Sequence, residues 1–522
     1  MPDTITPVKE TRQKLPATSS LASETQESGL QVLLKKSFSF PILMGALLVV
    51  ANFAAERTLN TEADTWWHMK YGESILQTGQ WPAGDIYSFT AHGVFRMAFE
   101  WGGEVLMALV YNLSGLRGLD VLFITLTSVF VVLLYYYAYL RSGNSKAAFL
   151  ATVVGMQLAR LCFTLRPQLL GFIFLLLTLI FLERYRQGLQ KSLWVLPPLF
   201  LVWINCHASW ALGLFILGAY WTSGLVDFSR GGLRADQWRQ NQRIHLALVF
   251  LMSVLVLPIN PYGTQLVAYP FNVAFTKPVE VAYVQEWLPL PFTYWQSKML
   301  LLLFLAFILA VVALRPTFRP EEIGLFLFAT YATLAHFRFV ILFAVLVAPM
   351  IAVLIERWVP PYESEIDKHA LNAALILAAL IGMAAFVPSK SDLNKNLGKV
   401  YPIKAIEYLE QHSVPDFTFN DYGFGGYLIW ALGPKRPVFI DGRADLYEET
   451  GAFSDYVHVL NLKPGTLAVL QAYGIRSCLI RPDTPLATLL RARPEWKEVY
   501  KDNLSAIFVR GPYGDTGVSG TK

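Results

Sequence analysis

The sequence predicts a polytopic α-helical membrane protein followed by a small α/β domain, and three observations predict it. The 522 residues are 54% hydrophobic with a mean hydropathy of +0.41, more apolar side chain than a soluble protein of this size can bury. Apolar runs recur from residue 38 to about residue 387, many near the ~20-residue length of a bilayer crossing. From Pro388 the composition becomes that of one ordinary globular domain.

Residues 1–37 are rich in Ser, Thr, Gln and Glu and end in Lys35-Lys36, the pattern of a disordered cytoplasmic tail. No small-residue cleavage site follows the first apolar run, which therefore reads as a retained anchor. The runs 38–57, 119–140, 147–165, 168–183, 193–207, 210–227, 244–258, 298–314, 322–336, 339–356 and 371–387 give roughly eleven spans. The loops 141–146 (Arg141, Lys146), 184–191 (Arg184, Arg186, Lys191), 228–243 (Arg230, Arg234, Arg239, Arg243) and 315–319 (Arg315, Arg319) then share the N-terminal side. This positive-inside pattern puts the N-terminus in the cytoplasm and the C-terminal domain outside. The net charge of +5 reports that orientation and gives no reason to expect nucleic acid. Cys162, Cys206 and Cys478 are too few and too scattered for a disulfide framework or a zinc site.

With the sides assigned, the polar residues of the membrane region collect outside. The first outer segment, 58–118, carries Glu62, Asp64, Trp66, Trp67, His68, Glu100 and Glu104; Ser74–Gln77 and Glu100–Asn112 read as helices lying on the membrane, with tryptophans at headgroup level. Arg160, Arg166 and Gln168 surround the turn after the third span, Asn205 and His207 follow the fifth, Glu280 and Glu286 lie in the loop 259–297, and His336 and Arg338 form the last outer turn. A transporter would instead show polar groups at mid-depth, broken helices and an internal repeat. A charge deep in the bilayer costs about 2.5–3.5 kcal/mol on insertion scales, so Arg160, inside its span, needs a partner or a task. Arginines at an outer boundary suit a lipid phosphate, with snorkelling to headgroups as the alternative. Glu100 and Glu104, one turn apart, fit a metal or a solvated face; His68, His207 and His336 fit a phosphate, a metal or a satisfied interfacial histidine.

In the C-terminal domain, helices are predicted at 403–412, 427–432, 465–473 and 484–493, and strands at 416–420, 436–441, 475–480 and 504–510. Residues 513–522 are expected to form a disordered tail. Asn420-Asp421-Tyr422-Gly423-Phe424-Gly425-Gly426 reads as a glycine turn between strand and helix, either approaching an anion or packing closely. Asp421, Tyr422, Asp441 and Arg443 are its candidates for acceptor or partner recognition.

A Glu-x-Asp pair in the first outer loop, Glu62 and Asp64, on a chain with this architecture resembles the GT-C superfamily of membrane glycosyltransferases, including family 39 and oligosaccharyltransferase-like members. The Asp-x-Trp-Trp-His run, Leu165-Arg166-Pro167-Gln168 and Phe439-Ile440-Asp441-Gly442-Arg443-Ala444-Asp445 look like a bacterial branch of such proteins. The resemblance implies an inverting hexosyl- or pentosyltransferase of the inner membrane, using a polyprenyl-phosphate sugar on the outer face and a glycan, lipid or protein acceptor of the envelope. Asp64 would be the base and Glu62 its support, with Arg160, Arg166, Arg338 and His336 on the donor phosphate. Trp66, Trp67, His68, Gln168, Asn205, His207, Glu100 and Glu104 would line the substrate pocket. The Asp-x-Asp that metal-using relatives carry in the second large outer loop is absent, which puts a divalent cation (Mg or Mn) in doubt; Asp64 with Glu280 or Glu286 could substitute. The alternatives are a polymerase or ligase of lipid-linked glycans, resting on the loop 259–297, and a non-catalytic assembly or transport protein.

Overall fold

The computed structural model describes residues 29–56, 59, 61–276, 285–293 and 295–511. Most of the predicted tail, 1–28, and the C-terminal tail lie outside these residues. Within 29–37 the structure differs from expectation: Gly29–Ser37 is a helix, α1. Leu30, Val32, Leu33 and Leu34 favour it, and Lys35 and Lys36 sit in its last turn, where the helix dipole welcomes cations.

Every predicted span falls on a helix: α2 (Phe40–Ala55), α4 (Trp101–Ser142), α5 (Ser145–Ala159), α6 (Gln168–Arg186), α7 (Leu196–Ile204), α8 (Trp210–Ser223), α9 (Gln240–Leu255), then Trp295–Leu314, Pro320–Ala335, Val340–Ile355 and His369–Ala385. Among the described residues, four helices are long and apolar enough to cross a membrane, or six if each of two bent pairs counts as one. The eleven predicted spans are all helical, and those outside this set are shorter. Helix α7 is one of these: its nine residues rise only roughly 14 Å, half of a ~30 Å hydrocarbon core. The first outer segment holds α3 (Ala63–Thr78), which extends the predicted surface helix back to the acidic pair. The second predicted surface helix runs into the next span as the 42-residue α4, broken at Gly115, whose φ of 61° belongs to glycine.

The basic loops share one end, as their charge predicts, and much of that charge is paired there. Arg319 meets Glu183 at 2.5 Å, Arg186 meets Glu321 at 2.6 Å, and Arg141 pairs with Glu322. The strands β1 (Phe228–Arg230) and β2 (Leu233–Ala235) form a hairpin that bonds to the loop at Phe318, where Arg234 N donates to its carbonyl at 3.0 Å. Asp64, Arg166, His207, Glu286 and Arg338 are gathered elsewhere, around one cavity.

The C-terminal domain is built on a four-stranded mixed sheet in the order β3 (Thr418–Asn420), β4 (Ser477–Ile480), β6 (Ala506–Arg510), β5 (Trp496–Lys501). Strands β3 and β4 run parallel, with Thr418 opposite Ser477, and the other pairs are antiparallel. The predicted strand 436–441 is not a regular strand. Val438 bridges both Thr418 and Ser88, while the Asn420 side chain accepts from Phe439 N (2.8 Å) and donates to the Ile440 carbonyl (2.7 Å), taking the place of a strand neighbour. The sheet is thus tied to the outer segment of the membrane domain. The glycine stretch resolves as close packing: Gly425 and Gly426 lie inside the helix Tyr422–Leu432, and a Cβ on Gly426 would stand 1.8 Å from the Ala63 carbonyl of α3.

Candidate active site

The three motifs singled out in the sequence meet at one point. Glu62 is the N-cap of α3, so Asp64 sits in its first turn, beside backbone N–H groups that favour an anion. Thr65 fixes this turn: its hydroxyl accepts from Glu62 N (3.2 Å) and donates to the Leu165 carbonyl (2.9 Å), tying α3 to the Leu165-Arg166-Pro167-Gln168 turn. That link delivers the Arg166 guanidinium to three carboxylates, Asp64 at 2.9 Å, Glu62 at 3.0 Å and Glu286 at 3.2 Å. Trp67 donates its indole N–H to the other Asp64 oxygen at 3.1 Å. The third motif closes over the carboxylate, for a Cβ on Gly442 would overlap Asp64 Oδ1 at 1.6 Å. Asp64 is therefore held from three elements.

Sharing one cation drives these acids apart. Burial tends to raise the Glu286 carboxyl, but Arg166 and Arg338 outweigh it and hold it down at about 2. Burial raises Asp64, with Arg166 opposing and the nearby Glu286 adding to the rise, so Asp64 ends above the usual range. Glu62 is raised for the same reasons. A pinned anion beside a carboxylate of raised proton affinity is the division expected of a counterion and a base.

Behind Trp67 lies a second cluster. His68 accepts or donates at Nδ1 to Glu104 (2.9 Å) and stands 3.2 Å from Glu100, which also reaches His207 at 3.3 Å. Burial pushes the Glu100 carboxyl up to about 7 against the pull of Arg166, Arg96 and Arg338, and burial with Arg166, Arg96 and His207 holds His68 well below the usual histidine range.

These residues open on a cavity of about 1640 Å³. Leu161, Phe172, Leu175, Leu212, Ile341 and Leu342 of the membrane helices line one part, and Tyr422, Phe453, Tyr456 and Val457 of the C-terminal domain line another. Of the predicted residues, Glu62, Asp64, Trp67, His68, Glu100, Arg166, Gln168, His207, Glu286, His336, Arg338 and Tyr422 line it. His336 is fixed by the Trp287 carbonyl at 2.6 Å, and Arg338 lies over the Trp287 ring at 4.3 Å, 3.6 Å from Glu286.

The others are placed elsewhere. Arg160, expected on the donor phosphate, is neutralised by Glu56 at 2.6 Å and caps the Ala55 carbonyl, outside the cavity lining. Trp66 points to the far side of α3, edge-on to Tyr401 and Tyr427, because successive helix positions face about 100° apart. Asn205 accepts from Trp101 Nε1 at 2.8 Å and Glu104 supports His68, so both stand behind the wall. Asp421 caps its helix by accepting from Gly423 N. Asp441 and Arg443 are fully buried with Asp85, Tyr71 and Tyr447 in a network that joins the two domains, which leaves neither for an acceptor. Glu280 lies outside the described residues. Among those described, no three His, Cys, Asp or Glu side chains converge to hold a metal ion, and Asp64 and Glu286 close on Arg166 instead.

Arg96 was not singled out in the sequence, although it lines the cavity. A lone cation between Phe95 and Met97 carries no spacing signal; the aromatic residues at Phe95 and Phe99 were the available hint of a stacked guanidinium.

No protein-family model matches the chain, and no curated protein matches it in sequence. Among solved structures it is similar to the Archaeoglobus fulgidus oligosaccharyltransferase tethered with an acceptor peptide containing the NVT sequon, at 11% identity over 87% of this chain and 70% of that one, with a TM-score of 0.51. It is also similar to ArnT from Cupriavidus metallidurans bound to undecaprenyl phosphate, at 13% identity over 93% of this chain and 100% of that one, with a TM-score of 0.44. At such identities the likeness is one of fold alone, and the fold is the one shared with the oligosaccharyltransferase.

Proposed function

We propose that the chain is a glycosyltransferase that moves a sugar from a polyprenyl-phosphate donor to an envelope glycan, lipid or protein on the outer face of the cytoplasmic membrane. The observation that carries this reading is Asp64, half-buried at the wall of a large two-sided cavity with its proton affinity raised while Glu286 beside it is pinned as an anion. Fold-level analogy with the oligosaccharyltransferase supports it. An apolar wall of membrane helices suits a prenyl chain, and nucleotide sugars are not supplied outside the membrane whereas lipid-linked ones are delivered by flipping.

In this reading Asp64 takes the proton of an acceptor hydroxyl as that oxygen bonds to the anomeric carbon. The bond from this carbon to the phosphate oxygen breaks on the opposite face, with inversion, and its electron pair leaves with polyprenyl phosphate. Arg338 and His336 face the phosphate as its charge develops. Arg166 fixes the Asp64 carboxylate at the angle its three anionic partners define. The three carboxylates converge on the Arg166 guanidinium, and no step is assigned to a divalent cation.

The test is incubation of the full chain in nanodiscs with a panel of radiolabelled polyprenyl-phosphate sugars and an envelope extract, with nucleotide sugars in parallel. Release of free polyprenyl phosphate dependent on the protein supports the reading; sugar transfer only from nucleotide sugars, with release of the nucleotide, contradicts it.

A further inference from the structure

One buried cation on the cavity wall has no task in this mechanism. Arg96 is 8% exposed and lies face-on to Trp67 at 4.6 Å and to Phe99 at 5.3 Å. Its Nε reaches Asp445 of the C-terminal domain at 3.3 Å, while its Nη1 is enclosed with no hydrogen-bond partner among the described residues. Phe99 stacks in turn on Tyr269 at 4.4 Å, and Trp67, Arg96, Phe99, Tyr269 and Asp445 all line the cavity. Trp67 carries this group to the site, because its opposite function is the hydrogen bond to Asp64.

A guanidinium offers N–H donors and no acceptor, and a carboxylate offers acceptors and no donor, so together they can bracket two neighbouring hydroxyls. Phe99 lies between the Arg96 guanidinium and Tyr269, and the rim of this stack lines the cavity, where it meets the apolar C–H surface of a ring. Few ligands present both, and a sugar ring does. We infer that Arg96 and Asp445, with the rings of Phe99 and Tyr269, form the subsite that holds a sugar ring against Asp64. The inference rests on the glycosyltransferase reading, and the ring can belong to the donor or to the acceptor.

The probes are methyl glycosides (glucoside, galactoside, mannoside, N-acetylglucosaminide), followed by saturation-transfer NMR with the full chain in nanodiscs. Saturable binding of at least one glycoside, weakened tenfold or more in Arg96→Met and in Asp445→Asn and retained in Arg234→Met, an exposed position outside the cavity, is the expected result. No glycoside binding, or equal binding in wild type and Arg96→Met, overturns the subsite. Binding that behaves as expected in a protein that turns over no donor keeps the subsite and sinks the transferase reading. If Arg96→Met does not fold, Phe99→Leu removes the ring while keeping apolar bulk, and the same tenfold loss is required. Slowed donor hydrolysis without acceptor assigns the ring to the donor; unchanged hydrolysis with a raised KM for acceptor assigns it to the acceptor.

Discussion

Asp64 and Glu286 share one guanidinium, yet only one of them is poised to take a proton. Asn at position 64 keeps the shape and loses the base, so Asp64→Asn should lower turnover by roughly 10²–10⁴-fold while donor binding is kept. Removing the Glu286 charge with Glu286→Gln takes away one cause of the raised Asp64 proton affinity. The acidic limb of the pH–rate profile should then move to lower pH; a limb that stays or moves up contradicts the assignment. Glu100 gives a separate test in stability. Its folded-state carboxyl holds a proton up to about 7, whereas an unfolded one releases it near ~4.3, so the folded state binds more protons between these values. Melting temperature should be highest at the acid side of that window and fall as pH rises through 7, with a flatter profile in Glu100→Gln. At this scale the sequence made Asp64, Arg166, His207 and Arg338 legible, because unpaired polar residues at a membrane boundary are conspicuous. Arg160 is equally conspicuous as a charge that needs a partner or a task, but its pairing with Glu56 spans 104 positions and leaves no local trace.

At the scale of elements, α3 is the wedge on which the site depends. Its first turn carries Glu62 and Asp64, Thr65 pins it to the turn at Leu165, and Gly426 and Gly442 bring the C-terminal domain against it. A methyl group at position 442 should displace the Asp64 carboxylate. Gly442→Ala is expected to lose most of its turnover, tenfold or more, with melting little changed; wild-type turnover would show that Asp64 can shift without consequence. The helical elements were readable because apolar run length survives without tertiary information. The 436–441 segment reads as a strand because its Val438-Phe439-Ile440 run fits one, whereas it makes only isolated bridges at Val438 and is otherwise held by the Asn420 side chain.

Across the whole molecule, two sets of charges stand apart from one another. One, around Glu183, Glu321, Glu322, Arg141, Arg186 and Arg319, binds the helices together; the other surrounds the cavity. Glu183→Ala leaves Arg319 without its partner and should destabilise the protein by about 3 kcal/mol, read by denaturant unfolding, with KM unchanged. This separation was legible from the loops, but the pairing within the basic set was not, since run length and Lys/Arg counts ignore which acids face them. Run length also does not give helix length: the apolar run 193–207 holds a helix of only nine residues. The central claim is that the cavity-facing set performs glycosyl transfer through Asp64. Its most direct test is the rate of polyprenyl-phosphate release by Asp64→Asn beside wild type, at matched melting temperature, with the donor that wild type prefers. Release that falls by about 10²-fold or more is predicted; release equal to wild type would contradict the account.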